Sequence, residues 1–180
     1  MRHAFTIVAL IGLSLVCGVD RTSVAGQEAT PAACPATTKE ENIETARIFH
    51  EEGTNNRNPE ALREILAPAV IHHAAGGYPD TTSADGVIAM MSDFPPAFSD
   101  LHYTIDFFVA DDDIVVERYT ASGTQDGPLG ELPPTGRKAT WTGINIFRFE
   151  CGKIVEIWSE VDALSRNAQL MGQDSATPTP

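Results

Sequence analysis

Apolar residues follow two different periods along this chain, and the change falls near residue 100. Ile43, Ala46 and Phe49 are spaced for one face of a helix, with His50 beside them. Thr38 followed three residues later by Glu41 has the capping-box form, so this helix is expected to run from there to about Gly53. Asn55–Asn58 reads as a turn. Asn58 before Pro59 marks a second helix start, since proline lacks only an N–H that the first turn leaves unpaired anyway. Leu62, Ile65 and Leu66 form its apolar face, and Pro68 is expected to end it. Val70–His73 is a short extended stretch, broken by Gly76 and Gly77. Thr82–Asp85 opens a third helix with Val87, Ile88 and Met91 on its buried side, closed by Pro95 and Pro96.

From Leu101 the period becomes two. Leu101, Tyr103, Ile105, Phe107 and Val109 alternate with His102, Thr104, Asp106 and Phe108, which predicts a strand. Asp111–Asp113 is a solvated turn. Ile114–Thr124 is a second strand, Ala139–Glu150 a third and Lys153–Val161 a fourth. A long Gly- and Pro-rich connection spans residues 125–138, and Cys151-Gly152 forms a tight turn. Leu164, Leu170 and Met171 mark a short C-terminal helix. Helices first and antiparallel strands afterwards predict an α+β fold, with the helices packed on one face of a strongly curved sheet. The hollow of such a sheet is either filled by side chains or holds a small apolar ligand.

The two ends read differently. Arg2 and His3, an apolar run from Ala4 to Val19 and the small residues Ser23-Val24-Ala25 have the layout of a secretory signal peptide cut after Ala25. An uncleaved anchor and a lipoprotein modified at Cys17 are the alternatives. Residues 26–38 read as a flexible leader, 39–172 as the folded domain and 173–180 as a disordered tail. Cleavage would leave Cys34 and Cys151, an even count in a compartment that permits disulfides, and one bridge between them is expected. The formal charge of -13, with 12 Lys+Arg and no basic cluster, argues against nucleic acid and anionic lipid as partners. After cleavage no membrane partner is expected. Gly123, Gly127, Gly130 and Gly136 lack dinucleotide and phosphate-loop spacing, and no metalloprotease or nucleophile-elbow motif occurs.

Several spaced motifs resemble the SnoaL-like polyketide cyclase (ester cyclase) group of the NTF2-like superfamily. They are His72-His73, Phe98-Ser99-Asp100-Leu101, Gly123-Thr124 and Pro134-Thr135-Gly136-Arg137. Arg148, the run Gly152–Trp158, Asp162 and Gln169-Leu170 complete the set. The resemblance spans Glu41–Gly172. It implies a cone-shaped fold, a small apolar organic ligand, no metal or organic cofactor and a homodimer through the outer sheet face. It also implies acid/base chemistry by a pocket carboxylate assisted by His. At the position of the cyclases' Asp this chain has Ser159, with Glu160 next. Asn145 and Gln125 stand at two positions where the resemblance expects His. Neutral amides and a hydroxyl donate hydrogen bonds but are not bases near neutral pH. The same architecture serves a binding or dimerisation module that has lost its base.

The groups available for acid/base chemistry are Glu160, Asp162 and a histidine of the pair His72/His73, with His73 as the candidate. Adjacent residues of an extended segment face opposite ways, so at most one of the two histidines enters a pocket. No third ligand spacing accompanies them, so no metal site is expected. Asp162 reads equally as the N-cap of the last helix, and Glu160 as a solvated strand residue. The candidate pocket lining comprises His72, Tyr103, Glu117, Tyr119, Trp141, Asn145, Trp158 and Ser159. Glu117 pointing inward would be a candidate base. Trp141 and Trp158 read as cavity lining, core or dimer contacts.

Overall fold

The computed structural model describes Cys34, residues 36–93 and residues 96–173. The expected signal segment, the leader through residue 33 and the tail from residue 174 lie outside the described residues. The capping box forms: the Glu41 N–H donates to Thr38 Oγ1 at 3.2 Å, and the Thr38 N–H donates to Glu41 Oε2 at 2.8 Å. Helix α1 spans Lys39–His50 and continues as a π-helical turn, Glu51–Asn55, extending slightly past the expected Gly53. Gly53 is required there, since a Cβ would lie 2.5 Å from Leu62 Cδ2 of the next helix. Helix α2, Pro59–Ile65, is capped by Asn58, whose Oδ1 accepts from the Ala61 N–H at 3.3 Å.

The chain then passes directly into strand β1, Leu66–His73. Pro68, expected to end the helix, lies within this strand. β1 is an edge strand, where a residue without an N–H is tolerated. Helix α3 spans Ala84–Asp93. The remaining elements are β2, His102–Asp111; β3, Ile114–Thr124; β4, Lys138–Glu150; β5, Lys153–Val161; and helix α4, Ala163–Leu170. The strand order is β1-β5-β4-β3-β2, and the curved sheet stays open. β2 to β5 are antiparallel neighbours, but β1 runs parallel to β5, so the sheet is mixed rather than wholly antiparallel.

One alternation differs from the sequence pattern. The β2–β3 register shifts between Ile105 and Phe107, a bulge that reverses the facing of every residue after it. Phe107 and Val109 are 52% and 58% exposed on the outer face, and Phe108 and Ala110 pack against the core. Asp106, at the bulge, is held by Arg118 and Thr120.

In β3 and β4 the alternation is unbroken, and Val115, Glu117, Tyr119, Ala121, Trp141, Asn145 and Phe147 face inward. Two apolar clusters form on that face. One joins Phe49, Leu62, Ile65 and Val87 of the helices to Val115, Phe147 and Ile157 of the sheet. The other joins Phe98, Leu101, Tyr119, Trp141 and Leu170. Cys34 is bonded to Cys151 across 117 residues, tying the chain ahead of α1 to the β4–β5 turn. Both turn residues take positive φ, Cys151 at 55° and Gly152 at 74°. Among the described residues no helix is long and apolar enough to cross a membrane.

Candidate functional site

Four neighbouring strands contribute one inward polar residue each, and the sheet registers put three of them in a row. Glu117 on β3 is opposite Asn145 on β4, and Asn145 is opposite Ser159 on β5. His72 enters from β1 on the far side. Hydrogen bonds join His72 Nε2 to Ser159 Oγ at 2.8 Å, Ser159 Oγ to Asn145 Oδ1 at 2.7 Å and Asn145 Nδ2 to Glu117 Oε2 at 3.0 Å.

The direction of this chain follows from the orientation of the Asn145 amide. Asn145 turns its NH2 to Glu117 and its carbonyl oxygen to Ser159, so Nδ2 donates to Glu117 Oε2 and Oδ1 accepts from the Ser159 hydroxyl. Ser159 then donates its single proton to Asn145 and must accept from His72 Nε2–H. Neutral His72 is thereby fixed as the Nε2–H tautomer, and its Nδ1 is a buried acceptor with no protein partner. Burial lowers the His72 pKa to about 4, opposed by the charge of Asp80, so the ring is neutral near pH 7.

A second histidine reaches the same carboxylate from the helical side. His50, at the end of α1, places Nδ1 3.0 Å from Glu117 Oε2. The contact is at ion-pair distance without the alignment of a hydrogen bond, and the second oxygen of Glu117 has no partner. Both side chains are buried, Glu117 completely. The His50 ring stacks on Tyr103 with centroids 4.2 Å apart and meets Tyr119 edge-on at 4.7 Å. Burial pushes both phenol pKa values up, which leaves these hydroxyls as neutral donors.

Between the two apolar clusters lies a hollow of about 90 Å³. Phe49, His50 and Thr54 line it from α1 and the π turn, Met90 and Met91 from α3. Tyr103, Tyr119, Trp141, Asn145, Ser159 and Val161 form the sheet side. His72, Ala75, Gly76 and Tyr78 come from β1 and the loop after it, and Arg166 from α4.

Six of the eight expected lining residues are therefore at the hollow: His72, Tyr103, Tyr119, Trp141, Asn145 and Ser159. Glu117 sits behind Asn145 and His50. Trp158 is not at the hollow, because it neighbours Ser159 on β5 and so faces the other way. The three expected acid/base residues also lie elsewhere. Glu160 is exposed on the outer face. Asp162 caps α4, accepting from the Ser165 N–H at 2.9 Å. His73 stacks on Trp158 and sits 3.0 Å from Glu156 and 3.2 Å from Asp80, which raise its pKa. Gln125 is committed to the loop, its amide donating to the carbonyls of Gly127, Leu132 and Pro133.

His50 and Arg166 are site residues that the sequence pattern left unmarked. The signal for His50 was its place beside Phe49 on the apolar side of α1. For Arg166 it was the helical spacing from Leu170, which turns both toward the sheet. Among the described residues, no three His, Cys, Asp or Glu side chains gather as a metal site.

The structure resembles several solved proteins. A candidate SnoaL-like polyketide cyclase from Jannaschia sp. CCS1 is 20% identical, with TM-score 0.69 over 84% of this chain and 100% of its own. IdmH, a candidate polyketide cyclase from Streptomyces antibioticus, is 29% identical, with TM-score 0.63 over 72% of this chain and 98% of its own. An epoxide hydrolase of M. tuberculosis, LEH-like, is 12% identical with TM-score 0.58 over 75% of this chain and 92% of its own, a likeness of fold alone. No match was found among curated proteins. The family model of the SnoaL-like polyketide cyclases matches residues 44–170, nearly the whole of the domain that carries the hollow. By that match the chain belongs to the SnoaL-like polyketide cyclase family.

Proposed function

We propose that this protein takes a small, largely apolar organic molecule into the hollow and performs acid/base chemistry on it, with His50 as the base and Glu117 as its supporting carboxylate. The observation that carries this reading is the buried Glu117–His50 pair, with 3.0 Å between Oε2 and Nδ1, in a wall of aromatic rings. A carboxylate beside one imidazole nitrogen favours the proton on that nitrogen and stabilises the imidazolium formed when the other takes a proton. When a C–H next to a carbonyl is deprotonated, its electron pair moves onto the carbonyl oxygen, and the Tyr103 and Tyr119 hydroxyls are donors available to that oxygen. Side chains alone supply this chemistry, so the reading needs no cofactor.

A second reading is a binding module without catalysis. It is favoured by the neutral row His72–Ser159–Asn145, where Ser159 stands in place of the cyclases' acid. Deuterium exchange separates the two. The protein is incubated in D2O with small enolisable ketones such as cyclohexanone, and loss of the α-proton signals is followed by NMR. Catalysis predicts exchange above buffer that falls to background in His50→Gln and in Glu117→Gln. Ketones that bind but exchange no faster than in buffer would establish the binding module.

Two further expectations belong to this reading. The chain is exported with cleavage near Ala25, supported by the Cys34–Cys151 bond, which oxidising compartments sustain; N-terminal sequencing of the exported protein tests it. It pairs as a homodimer through the outer sheet face, where Phe107, Val109 and Ile144 are exposed. Sedimentation at micromolar concentration is expected to give a dimer, and a clean monomer would refute it.

A further inference from the structure

Two buried polar groups at the hollow take no part in the proposed proton transfer and have no protein partner. Thr54 is 6% exposed and lines the hollow from the π-helical turn, and its Oγ1 has no hydrogen-bond partner among the described residues. A threonine within a helix can spend its hydroxyl on a carbonyl one turn back, as Thr45 does on Glu41 O at 3.0 Å. Thr54 makes no such bond, and the turn that carries it, Glu51–Asn55, is wound in a form frequent at functional sites. His72 is 2% exposed and lines the hollow from β1. Its Nε2 is committed to Ser159 at 2.8 Å, which leaves Nδ1 as an acceptor without a protein donor. Burying a hydroxyl or a ring nitrogen unpaired is costly, and two such groups at one hollow mark what its occupant supplies.

We propose that the ligand is an uncharged molecule with two hydroxyl groups, one donating to His72 Nδ1 and the other pairing with the Thr54 hydroxyl. A hydroxyl suits both partners, because it gives a proton to the histidine acceptor and either gives or takes one at the threonine. Thr54 belongs to the helical layer and His72 to the sheet, so the two hydroxyls occupy separate positions on the ligand. The rings of Phe49, Tyr103 and Trp141 face the apolar frame between them. Charged ligands fit less well. A carboxylate has no proton for His72 Nδ1 and meets the Glu117 carboxylate behind the lining, while an ammonium meets the positive charge of Arg166 within it. This inference rests on the hollow being a binding site, as proposed above, and adds the polar groups of its occupant.

The full-length protein is titrated near pH 7 with toluene, phenol and the diols resorcinol and hydroquinone, followed by calorimetry or ligand-observed NMR. Phenol is expected to bind saturably and roughly tenfold more tightly than toluene, and the better diol roughly tenfold more tightly again, one step for each hydrogen bond to a group otherwise buried and unpaired. His72→Phe and Thr54→Val each remove one step from the diol. Thr54→Val exchanges the hydroxyl for a methyl of the same shape and does so without lowering the melting temperature, whereas a structural role for that hydroxyl would cost stability. If His72→Phe does not fold, the wild-type series and Thr54→Val decide the matter. Toluene binding as tightly as phenol and the diols overturns the hydroxylated ligand while leaving the hollow as a site. Diols no tighter than phenol overturn the second hydroxyl. A diol advantage undiminished in folded His72→Phe, or in Thr54→Val, overturns the role of that residue. Failure of all four to bind overturns both the hydroxylated ligand and the hollow as a binding site.

Discussion

The most quantitative consequence of the buried polar row concerns His72 and pH. The side chain is 2% exposed, and burial holds its pKa at about 4, against 6.5 for a free imidazole. The folded state therefore refuses a proton that the unfolded chain accepts. Above 6.5 neither state is protonated at His72 and the stability is at its full value. As pH falls from 6.5 to 4 the unfolded chain binds the extra proton and stability is lost, and below 4 the loss levels off. At about 1.4 kcal/mol per factor of ten, the full loss is about 3 kcal/mol. His72→Gln isolates this contribution, since an amide can donate to Ser159 but does not titrate. Urea unfolding of both proteins between pH 7 and pH 4 is the assay, because carboxylates and the other histidines titrate in both and cancel in the difference. His72→Gln is expected to gain about 3 kcal/mol on the wild type across that range. A difference that stays constant within about 0.5 kcal/mol would refute the neutral, buried assignment and with it the proton order along Ser159 and Asn145.

Other consequences are open to simple measurement. Reducing Cys34–Cys151, or replacing Cys151 by Ser, releases a constraint across 117 residues; the loop-entropy model gives a loss of up to about 5 kcal/mol, read as a lower melting temperature with reductant. Gly143→Ala puts a Cβ against the Tyr119 hydroxyl and 2.7 Å from the Glu160 carbonyl oxygen, so it is expected to destabilise by about 1–3 kcal/mol and to weaken ligand binding through displaced Tyr119. Phe147→Ala, at a fully buried position facing Phe49, is expected to cost about 3–5 kcal/mol in denaturant unfolding.

Much of this architecture could be read from local pattern. The Thr38–Glu41 capping box, the Asn58-Pro59 start and the bounds of β3 and β5 depend on nearest neighbours in sequence, and the structure has them where the pattern put them. What depended on distant partners was less legible. β1 gave no alternation because it packs as an edge strand carrying Pro68, and its parallel pairing with β5 is set some 85 residues away, as in His72 with Ile157. The β2 bulge follows from Asp106 meeting Arg118 and Thr120 on the neighbouring strand, which no single-strand period reveals. For the site, period two already implied that Trp158 and Ser159 cannot share a face, and that only one of His72 and His73 enters. The inward carboxylate is Glu117, while Glu160 and Asp162 have strand-surface and capping roles. His50 and Arg166 stayed hidden because one polar residue on an apolar helix face gains meaning only from what lies opposite it.

Entry of a small molecule into the hollow on the inner side of the sheet can be followed by the chain's two tryptophans, which report from opposite faces. Trp141 lines the hollow and Trp158 stacks on His73 outside it. In ¹H–¹⁵N spectra of the full-length protein, Trp158→Phe assigns the two indole signals, and phenol or cyclohexanone is then titrated in. A saturable shift of the Trp141 signal is expected while that of Trp158 stays in place. A Trp141 signal unmoved by both ligands, or movement confined to Trp158, would contradict it.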